Sequence, residues 1–286
     1  SQYLRSIMSI ANTAMIVTLT VHCWTARKQD KKVAQEVDDR HGAKNAGRFN
    51  KLLIDKAHIQ PLQTLADSIR GEHYKMTLPW MDNGGRLLPS KLFINWRDRM
   101  DTLREQYRIA VDTFIDRYEQ ELIPEARKRL GTLYNSADYP RGEDIRMKFG
   151  VSHDFMPVPS AADFRVDISE DERARIQQEI AEKMAERQRE AMADAWTRVR
   201  DCVTRIYDRT SAEKPVIHDS LMDNTQELLQ LLPGLNVASD PALSAVAQDI
   251  GKYLIVDTIK LRNYADTRER IAAAAKEILS RIPKEL

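Results

Sequence analysis

Across residues 170–214 the chain contains neither glycine nor proline, and apolar side chains recur there at helical spacing. Ile176, Ile180, Met184, Ala191, Ala195, Val199, Val203 and Ile206 mark one face. Ahead of them, Ser169-Glu170-Asp171-Glu172 has the form of a capping box: the serine hydroxyl accepts from the third helical amide and the glutamate reaches back. The three acids also suit the positive end of a helix dipole. The pattern predicts a helix over 170–209, roughly 60 Å long at about 1.5 Å per residue. Such a rod needs a partner along most of its length, because a helix in water is held mainly by burial of its apolar face. Its middle is dominated by Ala, Glu, Arg and Gln, so each turn there buries little. Ile180, Met184, Ala191 and Ala195 are the positions expected to meet a second helix, in this chain or in another copy.

A second long stripe precedes it. Phe93, Trp96, Met100, Leu103, Tyr107, Ala110, Phe114 and Tyr118 recur at steps of three and four, with Arg, Asp and Glu between. Ser90 is the expected N-cap, and Pro124 the expected kink or break, of a helix over 90–123. The simplest arrangement packs the two rods antiparallel, or pairs each with its copy. Ten glycines and eleven prolines among 286 residues are few, which agrees with long uninterrupted elements.

Other elements are shorter. Met15, Val17, Leu19, Val21 and Cys23 alternate with Thr18, Thr20 and His22, the period of two of a strand. A short helix to about Arg40 stops near Gly42, residues 48–55 suit a second strand, and Pro61 begins a helix of some ten residues. Residues 74–90 and 131–168 are punctuated by Pro and Gly; Phe155, Phe164 and Val166 in the latter suit short strands pairing with the N-terminal one. Beyond Pro215, three helices are expected at about 219–232 (stopped by Pro233-Gly234), 241–262 and 266–282. The expected fold is mainly α (α+β): a long antiparallel, coiled-coil-like helical hairpin, a small β-sheet and a C-terminal helical bundle. Its parts divide as 1–89, 90–214 with the loop region 131–168 inserted, and 215–286.

The net charge of +1 conceals an asymmetry. Residues 1–56 carry ten Lys/Arg against five Asp/Glu, an excess of +5, so the remainder balances at −4. Arg27, Lys28, Lys31, Lys32, Arg48 and Lys51, with Trp24 at their edge, form the best candidate for nucleic acid: clustered cations neutralise phosphates and an aromatic stacks a base. A solvated linker and helix face is the plain alternative. Asn83, Gly84, Gly85 and Arg86 suggest an anion-binding nest of amides beside a guanidinium, although a tight surface turn explains them more simply. The six histidines show no metal-ligand spacing, no nucleophile elbow is present, and the carboxylates alternate with arginine as on solvated helix faces. No catalytic residue, metal or cofactor is therefore expected. Two widely separated cysteines, Cys23 and Cys202, suggest buried thiols in a reducing compartment. The apolar run 14–24 is too short to span a bilayer and lacks the flanks of a secretory signal, so no membrane partner is expected.

Three stretches carry a resemblance. They are Trp24-Thr25-Ala26-Arg27-Lys28-Gln29-Asp30-Lys31; His73-Tyr74-Lys75-Met76-Thr77-Leu78-Pro79-Trp80 with Arg86-Leu87-Leu88-Pro89-Ser90; and Asp138-Tyr139-Pro140 through Phe155-Met156-Pro157-Val158-Pro159 to Asp163-Phe164-Arg165-Val166. In this order they resemble an uncharacterised protein family of tailed bacteriophages and prophages, over about residues 14–210. The resemblance implies a bacterial cytoplasm and brings no activity and no catalytic residues. It also touches phage and mobile-element proteins that accompany MoxR-type AAA ATPases. The expectation is a non-enzymatic protein that oligomerises through its long helices and binds DNA or a DNA-processing complex. The alternatives are an adaptor or inhibitor directed at a host or ATPase complex, and a virion assembly protein.

Overall fold

The computed structural model describes residues 10–160 and 169–284; the strand expected around Phe164 and Val166 lies outside them. The chain is mainly helical with a small antiparallel sheet. In order it forms β1 (Ala14–His22), β2 (Arg27–Gln29), α1 (Lys31–His41), β3 (Asn50–Leu52), α2 (Lys56–Met76), β4 (Leu78–Pro79), β5 (Arg86–Pro89) and α3 (Ser90–Arg117). Then come α4 (Ile123–Leu130), α5 (Gly142–Arg146), β6 (Gly150–Pro157), α6 (Glu170–Ser211), α7 (Ser220–Leu235), α8 (Pro241–Tyr253), α9 (Thr258–Asn263) and α10 (Ala265–Arg281). One sheet has the order β4-β5-β1-β6; β2 and β3 form a separate ribbon. Phe155 lies in β6, beside β1.

The chain divides into two compact units, neither continuous in sequence. Of the described residues, unit one holds those up to Thr18, Tyr74–Trp96 and those from Asp154 on; unit two holds Leu19–His73 and Arg97–His153. The expected boundaries at 89/90 and 214/215 are not the observed ones, because α6 and the helices after it form one body.

In unit one the long helix begins as expected, with Ser169 Oγ accepting from the Glu172 amide at 3.3 Å. Its partner differs from the expectation. α6 packs chiefly on α10, with α7, α8 and β4 adding to the contact, and not as a hairpin with the 90–123 segment. Met184, Ala191 and Ala195, expected at an oligomer contact, are buried within the chain at 5%, 0% and 0% exposure, while Ile180 is half-buried. The alanine-rich middle is what allows this: α10 carries Ala272–Ala275 in its own centre, and small residues let two helix axes approach closely.

Pro233-Gly234, expected to stop a helix, lies inside α7, which ends only at Leu235. The glycine serves packing. A Cβ built on Gly234 would fall 2.5 Å from Leu92 Cγ, and Leu92 is itself buried. Gly234→Ala should therefore destabilise unit one by roughly 1–2 kcal/mol, overpacking outweighing the gain in helix propensity of about 1 kcal/mol. In a Leu92→Ala background the same substitution should be neutral or stabilising. Chemical denaturation of the four variants in a double-mutant cycle checks this.

The aromatic stripe is buried along α3 as the spacing predicts: Trp96, Met100, Leu103, Tyr107 and Phe114 are core residues, joined by Val111 where Ala110 was expected. Pro124 acts one turn earlier than its position suggests. Residues Tyr118–Leu122 form a π-helical turn, and the Ile123 amide donates to Tyr118 O, five residues back. Proline can neither donate nor accommodate the carbonyl four residues before it, and the wider turn moves that carbonyl away. Pro61, by contrast, sits inside α2; the true start is signalled by Asp55, whose side chain accepts from the Ala57 amide at 2.8 Å. In β1 the adjacent Ile16 and Val17 are both buried, so both faces of this interior strand are covered.

Candidate functional site

In unit two the basic segment folds into a small module of two strands and one helix. Trp24 leads into it, packed edge-on against Phe114 and Tyr118 with ring centroids 6.4 and 6.0 Å away. The chain then turns through Ala26, whose φ of +52° is in the left-handed region. β2 and β3 pair antiparallel with Arg27 opposite Leu52, Lys28 opposite Lys51 and Gln29 opposite Asn50. Amide-to-carbonyl bonds from Leu53 to Ala26 (2.8 Å) and from Asp30 to Phe49 (2.9 Å) extend the ladder at both ends.

Asp30 joins the ribbon to α1. Its Oδ1 accepts from the Lys32 and Val33 amides at 3.1 and 3.2 Å, capping the helix, and Gly42 at φ +63° ends it. The following loop is held by buried Asp38, which accepts from the amides of Asn45 (2.8 Å) and Ala46 (3.3 Å). Hydrogen bonds from the Val33 amide outweigh burial and, with Lys51, hold the Asp30 carboxyl below its ordinary pKa.

The structure separates the six candidate cations into two kinds. Lys51 is 4% exposed, and its Nζ donates to Leu133 O (2.8 Å) and Asp30 Oδ2 (3.3 Å) and pairs with Asp138 Oδ2 at 2.7 Å. Burial by itself would lower its pKa, but the two carboxylates prevail and raise it above the ordinary lysine value. Lys51 is a structural ion, not a phosphate ligand. Trp24, half-buried, is packed edge-on against Phe114 and Tyr118. Lys28, across the ribbon from Lys51, remains 57% exposed with only a 4.0 Å approach to Asp138.

Arg27, Lys31, Lys32 and Arg48 are exposed and make no ion pair or side-chain hydrogen bond among the described residues. Exposed Lys44 and Lys56 flank the same module. Lys31 and Lys32 stand in the first turn of α1, which has no acidic residue. Cations at that end oppose the helix dipole. Gln29 and Asn50, exposed and opposite one another, belong to the same surface and escaped the sequence reading. Only the pairing register reveals them, and register is not legible in segments this short.

The second candidate, in unit one, is a hairpin turn. Asn83, Gly84 and Gly85 connect β4 to β5, with Met81 N donating to Gly85 O at 2.9 Å and Gly84 at φ +90°. Asn83 Oδ1 accepts from the Gly85 amide, so its own carboxamide occupies the place of an anion. A Cβ on Gly85 would lie 3.0 Å from Ile16, which explains glycine there. Arg86 donates to Thr77 Oγ1 (2.7 Å) and Thr77 O (3.1 Å), and its guanidinium covers the Tyr74 ring at 4.6 Å. These four residues stabilise the turn and leave no open nest.

Other chemistry finds little footing. A cleft of about 520 Å³ in unit two is lined by Arg104, Arg108 and Arg146, but its charges are internally matched. Arg108 holds Glu105 and Asp112 at 2.7 Å each, and Arg146 pairs with Asp112. Among the described residues no three His, Cys, Asp or Glu side chains converge as a metal site. Cys23 and Cys202 are free, and burial pushes both thiols above their ordinary pKa, away from nucleophilic character. No described helix is long and apolar enough to cross a membrane. The chain matches no protein family, no curated protein and no solved structure.

Proposed function

We propose that the chain is a non-enzymatic, nucleic-acid-binding protein acting through the β2–α1–β3 module, in the setting of a phage or prophage protein in the bacterial cytoplasm. One observation carries the reading: Arg27, Lys31, Lys32 and Arg48 are exposed and unpaired among the described residues on one small, well-braced element. Arg108 and Arg146, exposed elsewhere on unit two, are by contrast matched by carboxylates. An unmatched cationic surface on a nearly neutral chain attracts a polyanion and releases its counterions, so affinity falls as salt rises. Lys31 and Lys32 strengthen the reading, since local helix electrostatics gives no reason for them. Fluorescence anisotropy of a labelled duplex at low salt tests it. Saturable binding is the expected result; no measurable binding would overturn the proposal.

A further inference from the structure

The ribbon of the module has one closed face and one open face. Successive strand residues point to opposite sides, so Lys28 and Lys51 share the face closed over by Asp138 and Leu133. Arg27, Gln29 and Asn50 stand on the other beside half-buried Leu52, and these three polar residues are exposed and make no side-chain hydrogen bond or ion pair among the described residues. These residue types are not arbitrary. Arginine forms bidentate bonds with the O6/N7 edge of guanine, and glutamine and asparagine do so with the N6/N7 edge of adenine.

The dimensions agree. Each strand is three residues long, Arg27–Gln29 and Asn50–Leu52, with one further ladder bond at each end. That is about 10 Å of ribbon with strands roughly 5 Å apart, and a major groove about 12 Å wide admits a two-stranded ribbon. The bond from Asp30 N to Phe49 O places Lys31, Lys32 and Arg48 at one end of this ribbon, where a groove is bordered by phosphates. No aromatic residue stands on the open face, and Trp24 is packed against Phe114 and Tyr118. A single strand would therefore find no stacking platform there.

We infer that the Arg27/Gln29/Asn50 face enters the major groove of double-stranded DNA and reads base edges, while Lys31, Lys32 and Arg48 hold phosphates. This rests on the nucleic-acid reading above. The test is selection from a randomised duplex library with the full chain and with the variant Arg27→Ala/Gln29→Ala/Asn50→Ala, followed by anisotropy on the selected duplex, an unselected duplex, and single-stranded DNA and RNA. The wild-type protein should enrich a short motif of about 4–6 base pairs and bind it at least about tenfold tighter than unselected duplex, each bidentate contact supplying roughly that discrimination. The variant, one cation poorer, should lose about tenfold of its affinity for unselected duplex, as it would for any lost cation, and lose the preference. Salt-dependent duplex binding with no enriched motif, a preference that survives in the variant, or tighter binding to single strands would overturn the inference and leave the nucleic-acid reading standing. Absence of binding to every nucleic acid would overturn both.

Discussion

Reversing the charge at Lys28, Lys31 and Lys32 to glutamate is expected to weaken duplex binding by at least about 100-fold in ~50 mM salt. Each phosphate contact contributes about 0.9 to the slope of log affinity against log salt, so losing those of Lys31 and Lys32 removes roughly 1.8. At that ionic strength the loss alone corresponds to about two decades, before the repulsion that all three glutamates add. The fold should not suffer. All three side chains are exposed, and the one ion pair among them, Lys28 with Asp138, is a 4.0 Å contact at the surface. Glutamate at 31 and 32 even suits the N-terminus of α1 better than lysine does. The variant should therefore unfold at the same denaturant concentration as the wild type or slightly above it, measured by circular dichroism, while anisotropy reports the lost affinity. A residue pair that disfavours its own helix and favours a polyanion is the signature expected of a binding surface.

Lys51→Met should do the reverse. It removes the cation between Asp30 and Asp138 and leaves Leu133 O without its donor. Breaking a largely buried pair by deleting one partner costs far more than the pair contributes, and partial access of water to the two carboxylates moderates the cost to roughly 2–3 kcal/mol. The midpoint of chemical unfolding should fall accordingly. Duplex affinity of the folded fraction should stay within a few-fold of wild type, because Lys51 faces the closed side of the ribbon. A variant that keeps its stability and loses DNA binding would return Lys51 to the interface and contradict its structural role.

Lys51 and Lys31 illustrate where sequence reading stops. Both are lysines in a basic stretch, with no local signal to part them. Their difference is made by the turn around Leu133 and Asp138, more than eighty positions away in the chain, and by a register that sets Lys51 opposite Lys28. Local features fared better. The capping box of α6, the left-handed stop at Gly42 and the turn at Gly84 were legible because each is decided within a few residues. The mainly helical fold with a small sheet followed from the same local patterns.

Partner choice was not legible. The apolar face of α6 was evident, but nothing in its spacing distinguishes α3 from α10 as the surface it covers. The alanines that pointed to a contact with another copy are the ones that let α10 approach. Gly234 shows the same limit: beside Pro233 it reads as a helix stop, and only the position of Leu92 discloses that the missing side chain makes room. Gln29 and Asn50 acquire a meaning only once the ribbon has paired them.

The central claim is that the exposed cations of the β2–α1–β3 module neutralise nucleic-acid phosphates. The most direct measurement is the affinity of the full chain for a labelled duplex between about 50 and 200 mM salt. With Arg27 turned to the bases and Lys28 on the closed face of the ribbon, Lys31, Lys32 and Arg48 are the phosphate ligands, and three such contacts predict a slope of log affinity against log salt near −2.7. A slope close to zero, or no binding at the lowest salt, would contradict the account.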